Sequence, residues 1–127
     1  MALKEKSKQT VLIVDDDADL IELLKESLED LSFVVYSAKD GLMALKFLES
    51  ARVDCIVTDI AMPNMTGPEL IAKLQDRQDF TPFFFVTGYH EYPREDLNHF
   101  KPRAIIFKPF DFEEAALLIK NHLMRIS

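Results

Sequence analysis

Five short apolar runs punctuate the chain: VLIV at 11–14, FVVY at 33–36, CIVT at 55–58, FFFV at 83–86 and AIIF at 104–107. Each is rich in β-branched or aromatic residues, and none alternates apolar with polar. Such runs suit parallel strands covered on both faces. Between them the spacing becomes helical. Leu20, Leu24, Ser27, Leu28 and Leu31 fall on one face; Leu42, Leu45 and Leu48 recur every three residues; Leu70, Ile71 and Leu74 follow Pro68, which suits a first helical turn. Ala115, Leu118, Ile119 and Leu123 form the last stripe, behind an Asp111/Glu114 pair spaced as a capping box. The segment after the fourth run is the weakest helix, because Pro93 and Pro102 confine it to residues 94–100. Five strand–helix alternations predict an α/β class, a doubly wound parallel sheet with right-handed crossovers.

Composition narrows this to one domain. The chain has 127 residues, 48% hydrophobic and 29% charged, which is globular and able to bury its own core. Residues 1–9 read as a flexible N-terminal tail and 10–127 as the folded domain. A net charge of −7 argues against a phosphate-backbone binder, which needs a basic stripe, but not against a basic protein partner or a bound cation. The single cysteine, Cys55, sits inside an apolar run and reads as a buried structural thiol; no CxxC or Cys/His cluster points to zinc. Neither a signal peptide nor a membrane-spanning run is visible, so a cytoplasmic domain without nucleic-acid or membrane partners is expected.

Polar residues at the strand ends carry the chemistry. Asp15 and Asp16 follow the first run, Asp59 the third, Thr87 the fourth and Lys108 the fifth. A parallel sheet delivers all of these to its carboxyl edge, where open α/β sheets bind ligands. Asp17, at the strand-to-helix junction, reads instead as an N-cap. Were the first and third strands neighbours, Asp15, Asp16 and Asp59 would converge, each raising the others' pKa. A hard divalent cation resolves that conflict. Magnesium suits it, being held by one or two carboxylates, waters and a phosphate oxygen. Lys108 supplies a second positive charge. His90, His99 and His122 are scattered without metal spacing, and Phe80, Phe83, Phe84 and Phe85 read as a buried strand segment.

VLIVDDD, IVTDIAMPNMTGPEL, FFFVTG and IIFKPF, in this order from Thr10 to Met124, resemble the receiver domain of two-component response regulators. The resemblance implies a flavodoxin-like (βα)5 fold with strand order 2-1-3-4-5. It implies Asp59 as phosphoacceptor, served by a sensor histidine kinase or phosphotransfer protein. It implies Mg2+ on Asp15, Asp16, Asp59 and the backbone carbonyl of Ala61, with Lys108 and Thr87 contacting the phosphoryl oxygens. It further implies a cis Lys108–Pro109 bond, a loop after the acceptor shaped by Pro63 and a turn at Gly67, and an output face of fourth helix, fifth strand and last helix that meets a downstream protein.

Three departures bear on that expectation. The family usually carries Tyr or Phe three residues before the active-site lysine; here the residue is Ile105. The fourth helix is short and polar. Ala61 and Tyr89, two residues past Asp59 and Thr87, offer no amide or carboxylate to orient a hydrolytic water, so slow autodephosphorylation is expected. The leading expectation is a phosphorylation-dependent switch and not a turnover enzyme. A phosphate-independent pseudo-receiver is the alternative. A magnesium phosphohydrolase is disfavoured, because enzymes of the haloacid dehalogenase type carry the nucleophile on the first strand and this chain has no cap domain.

Overall fold

The computed structural model describes residues 8–88 and 93–124. Five strands, β1 (Thr10–Val14), β2 (Val34–Ala38), β3 (Cys55–Asp59), β4 (Phe83–Thr87) and β5 (Ile105–Phe107), alternate with five helices, α1 (Ala18–Asp30), α2 (Gly41–Leu48), α3 (Gly67–Asp76), α4 (Arg94–Asn98) and α5 (Phe112–Met124). All four strand pairings are parallel and the order is β2-β1-β3-β4-β5, the expected doubly wound sheet. Part of the N-terminal tail (1–7), Tyr89, His90 and the last three residues lie outside the described residues.

Side chains along a strand point alternately to opposite faces, so the continuous apolar runs feed two cores. Val11, Ile13, Val57, Phe84 and Val86 pack with α1 and α5 on one face. Leu12, Val14, Ile56, Phe83 and Phe85 pack with α2, α3 and Leu97 of α4 on the other. The three inner strands are buried throughout, apart from Thr10 at the start of β1. The edge strands are not: Tyr36 of β2 and Phe107 of β5 are exposed. Cys55 is fully buried, and burial pushes its thiol well above its ordinary range.

Several expectations shift by a residue or a face. FVVY does not begin a strand at Phe33, because the Phe33 N–H donates to the Leu28 carbonyl and closes α1. Ser32 occupies the left-handed position of that closure at φ 72, with its N–H on the Glu29 carbonyl, where helices commonly place glycine. Gln78 closes α3 in the same way at φ 62. Leu42 is exposed, and α2 buries Gly41 and Ala44 instead, since a strict three-residue spacing drifts around a 3.6-residue helix. Phe80 is outside the strand and 71% exposed, so it is no part of the aromatic core. At Asp111, the carboxylate accepts from the Glu114 N–H at 2.9 Å; the full reciprocal capping box lies at Thr66 and Glu69. α4 is even shorter than expected, ending at Asn98.

Gly67 opens α3 where its N–H donates to the Ile60 carbonyl at 2.9 Å. It is not in the left-handed region expected of a turn glycine. It is there because a Cβ would overlap the Asp59 carbonyl oxygen. At Gly88, among the described residues, a Cβ would meet the Lys108 side chain in ordinary contact, its Cβ at 3.4 Å and its Cδ at 3.8 Å. Gly67→Ala should therefore destabilise the protein by about 2 kcal/mol or more in urea titration, and Gly88→Ala by less than about 1 kcal/mol. Equal midpoints for wild type and Gly67→Ala would contradict the steric assignment.

Candidate functional site

The carboxyl edge gathers Asp15, Asp16, Asp59, Thr87 and Lys108, the residues expected there. β1 and β3 are hydrogen-bonded neighbours, with Val14 opposite Thr58. The next residues, Asp15 and Asp59, thus arrive side by side. Asp15 is held from both ends. Its N–H donates to the Ala38 carbonyl at 3.1 Å, and its Oδ1 accepts from the Asp17 N–H at 2.8 Å. Asp17 caps α1, accepting from the N–H groups of Asp19 and Leu20. Asp59 Oδ1 accepts from the Ile60 N–H at 2.8 Å.

Lys108 reaches across from the end of β5. Its Nζ stands 3.3 Å from Asp15 Oδ2 and 3.3 Å from Asp59 Oδ2. Its N–H donates to the Thr87 carbonyl at 2.8 Å, so the lysine is tied to the end of β4. The Lys108–Pro109 bond is cis. Thr87 is buried beside this contact, at the last position of β4.

The electrostatics are unbalanced. Burial raises the pKa of Asp59, the Asp15 charge raises it further, and Lys108 and the Ile60 N–H offset only part, leaving Asp59 at about 6. Burial also raises Asp15, against the Asp17 N–H and Lys108. For Lys108, burial lowers the pKa, but Asp59 and Asp15 outweigh it and hold the ammonium above its ordinary value. One ammonium cannot neutralise two buried carboxylates. Asp16 is exposed beside them, and Asp15, Asp16 and Asp59 each present an oxygen within 4.8 Å of the others. An all-oxygen donor set with surplus negative charge fits a hard divalent cation.

Ala61 lies two residues past Asp59, in the loop before α3. Sequence reasoning missed what anchors that loop. The Asn64 Nδ2 donates to Asp40 Oδ2 at 3.1 Å, while Asp40 Oδ1 caps α2 through the Met43 N–H at 2.8 Å. Asn64 is left-handed at φ 69. An Asp-Gly pair ahead of an apolar run signals the cap, but nothing in the sequence pairs Asp40 with a residue 24 positions away.

A family model of the response regulator receiver domain matches residues 11–120, and the chain belongs to that family. It is a receiver domain of two-component systems. It is similar to the response regulator SaeR of Staphylococcus epidermidis, 31% identical over 118 residues that cover 92% of this chain and 51% of that protein. It is also similar to the probable cyclic di-GMP phosphodiesterase of Vibrio cholerae, 29% identical over 127 residues, covering 97% of this chain and 28% of that one. The chain spans about half or less of the length of the curated relatives it matches. Among solved structures, the response regulator protein TrrA of Thermotoga maritima, in complex with Mg(2+)-BeF, superposes with a TM-score of 0.79 at 30% identity, covering 90% of this chain and 98% of that one. No described helix is long and apolar enough to cross a membrane.

The raised Asp59 pKa predicts a pH signature in metal-free protein. A carboxylic acid with a higher pKa folded than unfolded binds its proton more tightly when folded. Stability is then greatest below the unfolded pKa and falls as pH rises from about 4 to about 6. Asp59→Asn removes this loss. In EDTA, the variant should be more stable than wild type at pH 7.5, by on the order of 3 kcal/mol, and the difference should vanish near pH 3.5. A pH-independent difference in thermal melts would refute the assignment.

Proposed function

We propose that this chain is a phosphorylation switch in which Asp59 accepts a phosphoryl group from the phosphohistidine of a sensor histidine kinase or phosphotransfer protein. The observation that carries the reading is one edge where three carboxylates lie within 4.8 Å and a lysine bridges two of them. A carboxylate oxygen of Asp59 attacks phosphorus. The P–N bond breaks, its electrons return to the imidazole, and an acyl phosphate remains. Asp15, Asp16, Asp59 and the Ala61 carbonyl would hold Mg2+, which when bound neutralises the carboxylates and the phosphoryl oxygens. The Mg(2+)-BeF complex of TrrA supports that ligand class. Lys108 exchanges Asp59 Oδ2 for a phosphoryl oxygen, and the Thr87 hydroxyl donates to another. The donors act chiefly by position and charge.

The output is contact with a downstream protein through α4, β5 and α5. Phe107 and Leu117 expose 41% and 47% of their surface there, and the Arg94 guanidinium stacks 5.0 Å from the centre of the Phe107 ring. Ile105 has no ring to swing. Phe107 lies opposite Thr87 in the β4–β5 register, so movement of Thr87 acts on the strand that carries Phe107. The aliphatic Ile105 also favours a second reading, a phosphate-independent interaction module of the same fold.

Intact-mass spectrometry after incubation with acetyl phosphate separates the two. The switch predicts a gain of one phosphoryl group that needs Mg2+ and is absent in Asp59→Asn. No gain, together with no Mg2+ binding, would leave the second reading. The phosphorylated form should be long-lived, and Ala61→Asn should shorten its half-life, followed by the same mass measurement; an unchanged or longer half-life would contradict the role given to Ala61.

A further inference from the structure

The opposite edge of the sheet carries a feature that the phosphorylation chemistry does not use. At the amino end of β4 a groove of ≈ 750 Å³ runs between the α3–β4 turn and the α4–β5 turn. Phe80 stands on one rim with 71% of its surface exposed. Lys101 and Arg103 stand on the other. Phe83 and Phe100 line the wall between them.

Both rims are held in place. On the first, the Asp79 N–H donates to the Leu74 carbonyl at 2.9 Å, and Asp79 Oδ1 accepts from the Thr81 N–H at 3.1 Å and the Thr81 hydroxyl at 2.6 Å. On the second, Lys101 is left-handed at φ 62 with its N–H on the Asn98 carbonyl, and the Arg103 N–H donates to the Phe83 carbonyl at 2.8 Å. Gln75 Nε2 ties α3 to the Phe100 carbonyl at 3.3 Å, across the groove floor. Phe80 is therefore displayed by a pinned turn, which lowers the ordering cost of binding against it.

The charges point to the occupant. The chain carries −7 in total, yet Lys101, Arg103 and, on the far side of Phe80, Arg52 are exposed here. Among the described residues none of these three has a carboxylate within ion-pair distance. Asp79 and Asp54 also lie here, hydrogen-bonded to Thr81 and Thr10, so the three cations exceed the two neighbouring carboxylates by one charge. The geometry points to a docking groove for an acidic protein segment that sets an apolar side chain against Phe80 and its carboxylates against Lys101, Arg103 and Arg52. Aromatic and arginine side chains are the groups that dominate protein interfaces, and the cations select an acidic partner and speed its approach. The groove and the Asp59 site lie at opposite ends of the five-residue strand β4, roughly 16 Å apart, so both can be engaged at once.

A labelled synthetic peptide of Glu and Asp surrounding one Phe and two Leu tests this on the full chain, by fluorescence anisotropy and amide chemical shifts. Saturable binding is expected, with shifts centred on residues 79–83 and 100–103 and affinity that falls with added salt. Phe80→Ala and the double variant Lys101→Glu/Arg103→Glu alter exposed side chains, and each should weaken binding by about tenfold or more with an unchanged thermal midpoint. Three outcomes overturn the proposal. One is no shift in the groove. Another is equal binding of a peptide with Lys in place of every acid. The third is groove shifts that grow with protein concentration without peptide, which would make a second copy the occupant.

Discussion

The structure depends on one unequal contact, a single Lys108 ammonium placed 3.3 Å from two carboxylates that burial has deprived of water. Asp15 and Asp59 both carry raised pKa values because the lysine offsets only part of the cost of their burial and mutual repulsion. Without Lys108, two buried acids would face each other directly. With it, the edge holds a residual negative charge that a bound cation can relieve. The edge is thereby suited to a cation: without one, a single ammonium faces two buried carboxylates.

Backbone geometry serves this contact. β1 and β3 must pair so that Asp15 and Asp59 arrive together, and β5 must lie beyond β4 so that Lys108 approaches from the far side. The loop after Asp59 folds back until the α3 N-terminus touches the Asp59 carbonyl, which leaves room for glycine alone at position 67. Asn64 then ties the same loop to the cap of α2 through Asp40. Among the described residues the left-handed positions fall to Ser32, Asn64, Gln78 and Lys101, of which Asn64 tolerates that region and the other three are sterically disfavoured there. The surrounding hydrogen bonds hold these residues in place. The result is a set of rigid turns at both ends of the sheet.

The two edges differ in character. The carboxyl edge is acidic, tightly bonded and shaped for a small charged group. The amino edge displays Phe80 between exposed cations and suits a larger, softer surface. Rigid strands of five residues separate them. The proposed phosphorylation at one end and the proposed docking at the other would use different residues at opposite ends of β4.

The apolar runs alone determined the number, order and class of the elements, because a strand buried on both faces must be continuously apolar and the helices between must bury one stripe. The strand-end positions of Asp15, Asp59, Thr87 and Lys108 were legible for the same reason: a parallel sheet leaves its ligand groups at one edge. The order of the strands came from resemblance to a family, since periodicity says nothing of which strands are neighbours. Only tertiary structure decided that Leu42 faces solvent, that Phe80 is displayed, and that Gly67 answers a collision and not a turn. Each of these depends on what lies across space from a residue, and a linear pattern records only what lies beside it.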